Sequence, residues 1–332
     1  MNSDTPIPAS GPTRREFLRR GLQAGAALAV TSGVGAWLWN RHPPGDFNRP
    51  TATALLPDFS MRDAGEKMSI VTGQNRTQMV RRALEAMGGI ERFVKKGDRV
   101  MLKVNAAFAT PAILSATTNP ELAAELARLC LAAGAASVIV TDNPINDPES
   151  CFTLSGIASA VRAAGAELVV PRVSFFRPGT LSGGELIRNW PVMHEPFLGI
   201  TKLIGVAPVK HHNRAGASMT MKNWYGLLGG RRNQFHQDIN GIIVELAAMV
   251  KPTFVVLDGT TSMMANGPTG GSLADLKATN TMIVSTDPVA ADAFGATLLG
   301  KSFHDLPYIG RAAERGLGTA DFESLNPERA AV

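Results

Sequence analysis

Cysteine is nearly absent from this chain of 332 residues, which contains only Cys130 and Cys151. Cys130 lies in the apolar run ELARLCLAAGA, where a free thiol is most simply a buried core residue. Two cysteines give no disulfide framework, although one disulfide could form in an oxidising compartment. They also cannot supply the four ligands of an iron–sulfur cluster, so we do not expect the chain to hold such a cluster by itself.

A concentrated positive charge is also lacking from most of the chain. The formal net charge is +5, from 33 basic and 28 acidic residues. Five basic and two acidic residues fall within the first 45 positions, which leaves 28 basic and 26 acidic residues in the remainder. A nearly neutral body lacks the electrostatic footprint of a nucleic-acid-binding protein. Nucleic acid is therefore not expected as a partner.

The N-terminal segment has the layout of an export signal. Two arginine pairs, at 14–15 and 19–20, precede an uncharged apolar run from Gly21 to Trp39. The sequence RREFL, which begins at Arg14, closely resembles a twin-arginine translocation signal. That resemblance implies export of a folded protein by the twin-arginine machinery to the periplasm or cell envelope. The apolar run is near the lower length limit of a membrane span, so an uncleaved segment would anchor the protein.

Composition divides the chain into three segments. Residues 1–40 form the signal or anchor, which would be the protein's only contact with a membrane. Residues 41–67 are rich in proline, aspartate, arginine and glycine without an apolar period, which indicates a linker. Residues 68–325 are expected to form a single domain, with an irregular insertion near 172–199.

Strands and helices alternate along this domain. The pattern predicts strands at 99–105, 137–141, 167–170, 203–209, 253–257 and 281–284. It predicts helices at 76–87, 119–134, 154–164, 238–250 and 289–299. Such alternation is typical of βαβ units, so we expect an α/β fold with a mainly parallel sheet and helices on both faces.

Polar residues follow many of the predicted strands. The carboxyl ends of parallel strands share one edge of a sheet, and ligands bind in the crevice at that edge. We therefore expect a ligand cleft that receives Lys103, Asn105, Asp142, Asn143, Lys210 to Asn213, Asp258 and Asp287. Some of these have a simpler alternative role. Asp287 before Pro288 suits a helix N-cap, Asp142-Asn143-Pro144 suits a turn, and Lys103 could extend its ammonium group from a strand end to solvent.

The polar residues are densest between Val206 and Gly230, and they suggest proton transfer. Lys210, His212 and Asp142 form the expected catalytic group, since lysine, imidazole and carboxylate together favour acid–base chemistry. On a continuing strand Lys210 and His212 share a face and His211 points to the other. The expected ligand contacts are Lys103, Asn105, His211, Lys222, Asn223 and Gly270. Gly270 belongs to the run NGPTGG, which could wrap an anion or form only a tight turn.

A divalent metal is a further candidate occupant of the cleft. His212, or alternatively His211, has suitable ligand chemistry together with His236 and a carboxylate such as Asp258, although their spacing matches no fixed pattern. The alternative is that these histidines act as a general base or contact an anion. His236 begins a predicted helix, where the positive end of the helix dipole favours the neutral imidazole that binds metals or acts as a base. The sequence does not identify a cofactor, a substrate or a reaction.

Several runs together resemble one family. They are LKVN at 102–105, NPEL at 119–122, VTDNP at 140–144, PVKHH at 208–212, MKNWYG at 221–226, NGPTGG at 266–271 and STDPVAADA at 285–293. These runs look like a bacterial and archaeal family known only as domain of unknown function 362, over about residues 68–300. Its members often carry ferredoxin-like cysteine modules or twin-arginine signals, and this chain has only the second. Where other members show Lys-x-His, this chain has Lys210-His211-His212.

Two functions remain open at this stage. The favoured one is an exported enzyme that holds a metal or a small anionic cofactor or substrate in the cleft, because the cleft mixes lysine, imidazole and carboxylate. Export in the folded state suits a protein that collects its cofactor in the cytoplasm. The alternative is a non-catalytic ligand-binding or accessory protein of the cell envelope.

Overall fold

The structure, a computed structural model, describes residues 14–40, 55–61, 65 and 67–332. The chain divides into two compact units, residues 1–50 and 51–332. The first unit contains helix α1 (Arg14–Asn40), and none of the helices in the described ranges is long and apolar enough to cross a membrane. The first 13 residues of the predicted signal and most of the predicted linker lie outside the described residues.

The second unit contains eleven strands and eight α-helices in its described part. The strands are β1 (Met68–Thr72), β2 (Arg99–Lys103), β3 (Ser137–Thr141), β4 (Glu167–Leu168), β5 (Phe176–Gly179), β6 (Trp190–Met193), β7 (Lys202–His212), β8 (Gly216–Ser218), β9 (Phe254–Met263), β10 (Leu276–Ser285) and β11 (Glu328–Ala331). The helices are α2 (Arg76–Ala86), α3 (Pro120–Ala132), α4 (Pro148–Leu154), α5 (Ile157–Ala163), α6 (Thr220–Asn223), α7 (Ile239–Met249), α8 (Pro288–Leu298) and α9 (Pro307–Glu314).

One mixed sheet organises this unit, in the strand order β11-β1-β10-β9-β7-β2-β3-β4, with the short β8 paired to β7. Strands β9, β7, β2, β3 and β4 form a continuous parallel run. Strand β10 is antiparallel to both β9 and β1. The predicted α/β fold with a mainly parallel sheet is therefore confirmed. Strands β5 and β6 form a separate two-stranded antiparallel sheet within 172–199.

Both faces of the parallel run are buried, which explains its nearly unbroken apolar sequences. On β7, Leu203 and Val209 belong to one core layer, and Ile204 and Val206 belong to the other. Helices α7, α8 and α9 pack in the first layer, whereas α2, α3 and α5 pack in the second. A strand covered on both faces requires apolar residues at odd and even positions alike.

The strand directions separate some residues that we expected at one edge. Because β10 runs antiparallel to β9, Asp287 follows it at the opposite edge of the sheet from the carboxyl ends of the parallel strands. Asp287 accepts hydrogen bonds from the backbone N–H groups of Val289 at 2.7 Å and Ala290 at 3.0 Å. It therefore caps α8, and the expectation that it faces the cleft is wrong.

The described end of the predicted linker packs on the sheet. Leu56 and Phe59 are buried, and Phe59 N donates to Lys251 O at 2.9 Å. The Thr253 hydroxyl in turn donates to Phe59 O at 3.0 Å. Contacts with the core thus begin before residue 68, where the predicted domain starts, because two apolar side chains in this polar stretch are enough to tie it down.

Candidate functional site

A cavity of about 380 Å³ lies at the carboxyl ends of β2, β3 and β7. The cavity is lined by seven of the residues that we expected to bind a ligand, to bind a metal or to act in catalysis. They are Asn105, Asp142, Lys210, His212, Lys222, Asn223 and His236. Its wall also includes Phe108, Asn143, Ile145, Arg214, Tyr225 and Arg232. The convergence follows from the parallel register, because Lys103 is paired with Thr141 on one side and with Gly205 on the other.

A buried ion pair underlies the cavity. Lys103 Nζ lies 2.7 Å from Asp142 Oδ1, and both side chains are buried. The same ammonium group donates to Val104 O at 2.7 Å and to Asn223 O at 2.9 Å. Lys103 does not line the cavity. We conclude that Lys103 supports the site from behind rather than contacting a ligand.

Asp142 is fully engaged by the protein. Its Oδ1 accepts from Asn143 N at 2.8 Å as well as from Lys103, and its Oδ2 accepts from Ala106 N at 2.7 Å. Both oxygens therefore hold the loops that follow β2 and β3. The expected catalytic role of Asp142 is not supported by this arrangement, since both of its oxygens are already bonded to donors of the protein.

Gly226 makes room for this ion pair. A Cβ atom at position 226 would collide with Asp142 Oδ1 and would lie 2.8 Å from Lys103 Nζ. The glycine of MKNWYG is therefore required by the close approach of its backbone to two buried charges. Any larger residue must displace the pair.

Two asparagines link the pair to the cavity wall. Asn223 Nδ2 donates to Lys103 O at 3.2 Å and to Val206 O at 3.3 Å. Asn105 Nδ2 donates to Asn223 Oδ1 at 3.3 Å, and Asn105 Oδ1 accepts from Lys210 Nζ at 3.2 Å. Both amides are thus occupied in bridging β2, β7 and α6.

Lys210 and Lys222 differ in their partners, although both are buried in the cavity wall. Lys210 Nζ donates to Asn105 Oδ1 and, at 2.5 Å, to Ala116 O. The side-chain amine of Lys222 has neither a hydrogen bond nor an ion pair within the described part of the chain, and this Nζ lies 4.9 Å from the centroid of the Tyr225 ring. Burial lowers the pKa of each lysine to about 7.

His212 has a fixed tautomer. Its Nδ1 accepts from Arg214 N and Ala215 N, both at 3.2 Å, in the turn between β7 and β8. Nδ1 therefore has no proton, and the neutral ring carries its proton on Nε2. Burial, together with the charge of Lys222, lowers the pKa of His212 to about 2. His212 is consequently a neutral hydrogen-bond donor rather than a base.

His236 has the complementary tautomer. Its Nδ1 lies 3.1 Å from Asn233 O, a carbonyl that can only accept, so Nδ1 carries the proton. The Tyr225 hydroxyl, 3.2 Å from the same nitrogen, donates to Arg232 O. Burial, followed by the charge of Lys222, lowers the pKa of His236 and keeps the ring neutral with a lone pair on Nε2. The rings of His212 and His236 stack with centroids 5.7 Å apart.

Arg232 and Asp292 also support the site, and we predicted neither role from the sequence. Arg232 donates to four carbonyl oxygens, those of Tyr225, Leu228, Asn143 and Pro144, and so closes one side of the cavity. No sequence pattern pointed to this role.

Asp292 fixes the start of α6. It accepts from Thr220 N at 2.8 Å and from Met221 N at 3.2 Å, and burial raises its pKa to about 7. Its signal was present, because an aspartate interrupts the otherwise apolar helix PVAADAFGATL. By holding Thr220, Asp292 positions Lys222 two residues later.

Besides Lys103 and Asp287, three further residues that we expected in the cleft lie outside the cavity lining. His211 accepts from Gly267 N at 3.2 Å on the other face of β7. Gly270, with φ of 71°, lies in the loop that contributes only Pro268 and Thr269. Asp258 lies inside β9, which is longer than predicted, and pairs with Arg76 Nε of α2 at 2.7 Å.

The predicted metal ligands are consequently not brought together. His212 and His236 line one cavity, whereas Asp258 does not line it and pairs with Arg76 of α2. His212 also offers no lone pair without losing its bonds to the turn. No group of three or more histidine, cysteine, aspartate or glutamate side chains within the described ranges is placed to hold a metal ion.

The family model for a domain of unknown function, DUF362, matches residues 100–297, which is more than half of the chain. The chain belongs to this family. A thylakoid-associated protein of Synechocystis is 26% identical over 259 residues, which cover 76% of each chain. A crystal structure of a Thermotoga maritima protein aligns at 12% identity and a TM-score of 0.37, over 74% of this chain and 60% of that one.

The first prediction concerns Asp142. We expect Asp142→Asn to lower the free energy of unfolding by about 3–5 kcal/mol, because it leaves the buried Lys103 without a counter-charge. The double variant Lys103→Met/Asp142→Asn should recover part of this loss, since it removes the unpaired charge. Urea denaturation measures both, with the exposed Glu149→Gln as the control. A single variant as stable as the wild type would contradict the structural role.

The second prediction concerns pH and Lys222. The folded state holds the pKa of Lys222 at about 7, whereas the unfolded chain has the ordinary value of 10.5. Between these values the unfolded state binds more protons, so this group makes the free energy of unfolding rise with pH, by at most about 1.4 kcal/mol per unit. Below about pH 7 both states bind the proton and the contribution is flat.

Denaturation curves of the wild type and Lys222→Met at pH 7, 8 and 9 test this contribution. The variant should show the smaller rise in stability with pH, because it lacks the titrating amine. The exposed Lys96→Met, at the opposite edge of the sheet, should follow the wild type. Parallel profiles for the wild type and Lys222→Met would contradict the lowered pKa.

Proposed function

We propose that this protein binds a small organic anion in the cavity at the ends of β2, β3 and β7. The observation that carries the proposal is Lys222, which is only 9% exposed and whose side-chain amine has no hydrogen-bond or ion-pair partner in the described residues. A buried cation without a partner is costly, and an anion that enters the cavity would remove that cost.

The charge balance of the wall supports this assignment. Lys210, Arg214, Lys222 and Arg232 contribute cations, and Asp142 is the single carboxylate among the lining residues that the structure describes. Asp142 is neutralised by Lys103 and by backbone N–H groups, so it offsets none of the cavity's own charge. A net positive cavity of this kind attracts an anionic ligand.

The groups that remain available define the ligand's chemistry. Lys222, the remaining N–H of Lys210 and Nε2–H of His212 are donors, and His236 Nε2 is an acceptor. Phe108 and Ile145 add apolar surface. These donors, the acceptor and the apolar surface suit a small organic molecule that carries a carboxylate or phosphate group. A cavity of about 380 Å³ lies within the size range of small-molecule sites.

The third prediction tests anion binding with oxalate, orthophosphate and citrate, at constant ionic strength and pH 6.5. At a concentration 100-fold above its Kd, a bound anion stabilises the folded protein by ~2.7 kcal/mol, which raises Tm by several degrees. Lys222→Met and Lys210→Met should lose this shift, because each removes one cation from the cavity. Lys96→Met, which removes the same charge elsewhere, should keep it.

Isothermal titration calorimetry should give the same order of affinities for the four proteins. Equal shifts in all of them would show that the anions act through general salt effects, and the proposal would fail. Binding alone would suit a ligand-binding or accessory protein of the cell envelope. Catalysis would require further chemistry from the same groups.

We also propose that the protein is exported by the twin-arginine pathway. Arg14 and Arg15 open helix α1 and are exposed, as a receptor-bound signal requires, and Phe17 and Leu18 follow them. The Synechocystis relative is described as thylakoid-associated, which is compatible with a place at a membrane system for this protein.

The fourth prediction uses the second arginine pair of the same helix as its control. Arg14→Lys/Arg15→Lys should hold the protein in the cytoplasm of a bacterium with a twin-arginine pathway, because the pair itself is the recognition element. Arg19→Lys/Arg20→Lys should be exported normally. Cell fractionation with an antibody against the body measures both, and export of the first variant at the wild-type level would exclude this route.

A further inference from the structure

Three lysines are buried at this edge of the sheet, and they differ in what surrounds the amine. Lys103 has a carboxylate and three further oxygen acceptors within 3.2 Å. Lys210 has two oxygen acceptors, from Asn105 and Ala116. Lys222 has no oxygen acceptor within the described residues, and its nearest described partner is the face of the Tyr225 ring. Only Lys222 combines access to the cavity with an amine that the protein leaves uncommitted.

We propose that the ε-amine of Lys222 forms a Schiff base with a small oxo acid, whose carboxylate is held by Lys210. The inference rests on the proposed anion binding and names the class of anion. An oxo acid carries the two groups that the wall can address, a carboxylate for the cation of Lys210 and a carbonyl carbon for the free amine. A lysine that is desolvated beside other cations is an established type of nucleophile.

The position of Lys222 is set before a ligand arrives. It lies in α6, whose first two backbone N–H groups are held by the buried Asp292. The next residue, Asn223, is bonded to Lys103 and to the backbone of β7. A nucleophile held on both sides needs little reorganisation when it attacks.

The surroundings favour the neutral amine that the reaction needs. Burial, followed by the charge of Arg232, lowers the pKa of Lys222 to about 7, so a large fraction of the amine is unprotonated at neutral pH. The other charged or titratable groups of the wall are Lys210, His212, Arg214, Tyr225, Arg232, His236 and Asp142, and the carboxylate of Asp142 is directed to Lys103. Burial raises the pKa of the Tyr225 hydroxyl to about 12, so this group stays neutral, and the described lining residues offer the amine no free carboxylate that would favour its ammonium form.

The chemistry balances without a further reagent. The lone pair of the Lys222 amine attacks the carbonyl carbon, a C–N bond forms, and His236 Nε2 moves one proton from the nitrogen to the former carbonyl oxygen, which becomes a hydroxyl. His236 Nε2 then moves the second proton of the nitrogen to this hydroxyl, so both amine protons leave in the water molecule. Water leaves, a C=N bond remains, and no electron is gained or lost. Nε2–H of His212 can donate to the oxygen during both steps.

The fifth prediction is tested by reductive trapping in the full chain. The protein is incubated with glyoxylate, pyruvate or 2-oxoglutarate and then treated with sodium borohydride, and the adduct is located by peptide mass spectrometry. We expect one reduced adduct per chain, on Lys222, from at least one of the three acids. Its yield should rise from pH 6 towards pH 7 as the amine of Lys222 loses its proton, and should fall again at higher pH as Lys210, whose pKa is also about 7, loses the charge that holds the carboxylate.

Matched variants distinguish the nucleophile Lys222 from the anion contact Lys210 and from non-specific reaction of other lysines. Lys222→Met and Lys222→Arg should give no specific adduct, and Lys222→Arg should still bind oxalate because it retains the charge. Lys210→Met should require a higher concentration of oxo acid for the same yield. Lys96→Met should behave as the wild type. Thermal melts of each variant establish that it is folded.

The outcomes distinguish this inference from the anion site on which it rests. Oxalate binding that depends on Lys222, together with no adduct or with adducts spread over exposed lysines, overturns the Schiff base and leaves the anion site standing. An adduct on Lys210 assigns the nucleophile to the wrong lysine and also overturns it. If the wild-type protein neither binds oxalate nor forms an adduct, both proposals are overturned.

Discussion

The ion pair between Lys103 and Asp142 is the constraint on which the cavity depends. Two adjacent parallel strands end at the same level, one with a cation and the other followed by an anion, so the charges meet between them. A buried pair of this kind contributes little net stability, but neither partner tolerates the loss of the other. The loops after β2 and β3 and the glycine at 226 are all arranged around it.

The same ion pair leaves the cavity wall with an excess of positive charge. Asp142 is the only carboxylate among the described lining residues, and it is used behind the cavity, so Lys210 of β7 and Lys222 of α6 have no carboxylate partner in this part of the chain. The protein thus retains desolvated positive charge at a cost to its stability. Functional sites commonly combine such locally unfavourable arrangements with a rigid surrounding structure.

The sequence predicted the convergence of Asn105, Asp142 and Lys210 because strand–helix alternation sets strand direction, and direction sets which ends meet. It failed where direction reverses, since nothing in the run TMIVSTDP shows that β10 is antiparallel. It failed again for Asp258, because an aspartate inside a strand looks like the end of that strand.

The sequence also could not show which polar atoms are already occupied. Asp142 and Arg232 look available as residue types, and only their partners in the fold reveal that they are engaged. The opposite holds for Lys222, which resembles any lysine of a short helix until its surroundings are known. Patterns of apolar residues thus predict which strands and helices pack together. The hydrogen-bond partners of individual polar atoms depend instead on contacts between segments that are distant in sequence.

The turn after β7 fixes the tautomer of His212, and with it one hydrogen-bond donor of the cavity. Since two backbone N–H groups keep Nδ1 of His212 unprotonated, the ring cannot gain a proton without breaking the turn, and its pKa of about 2 places that event far outside neutral conditions. The imidazole therefore offers the same hydrogen bond in acidic and alkaline surroundings, while the amine nearby changes its charge. The cavity therefore combines one hydrogen-bond donor that does not change with pH and one amine whose charge does.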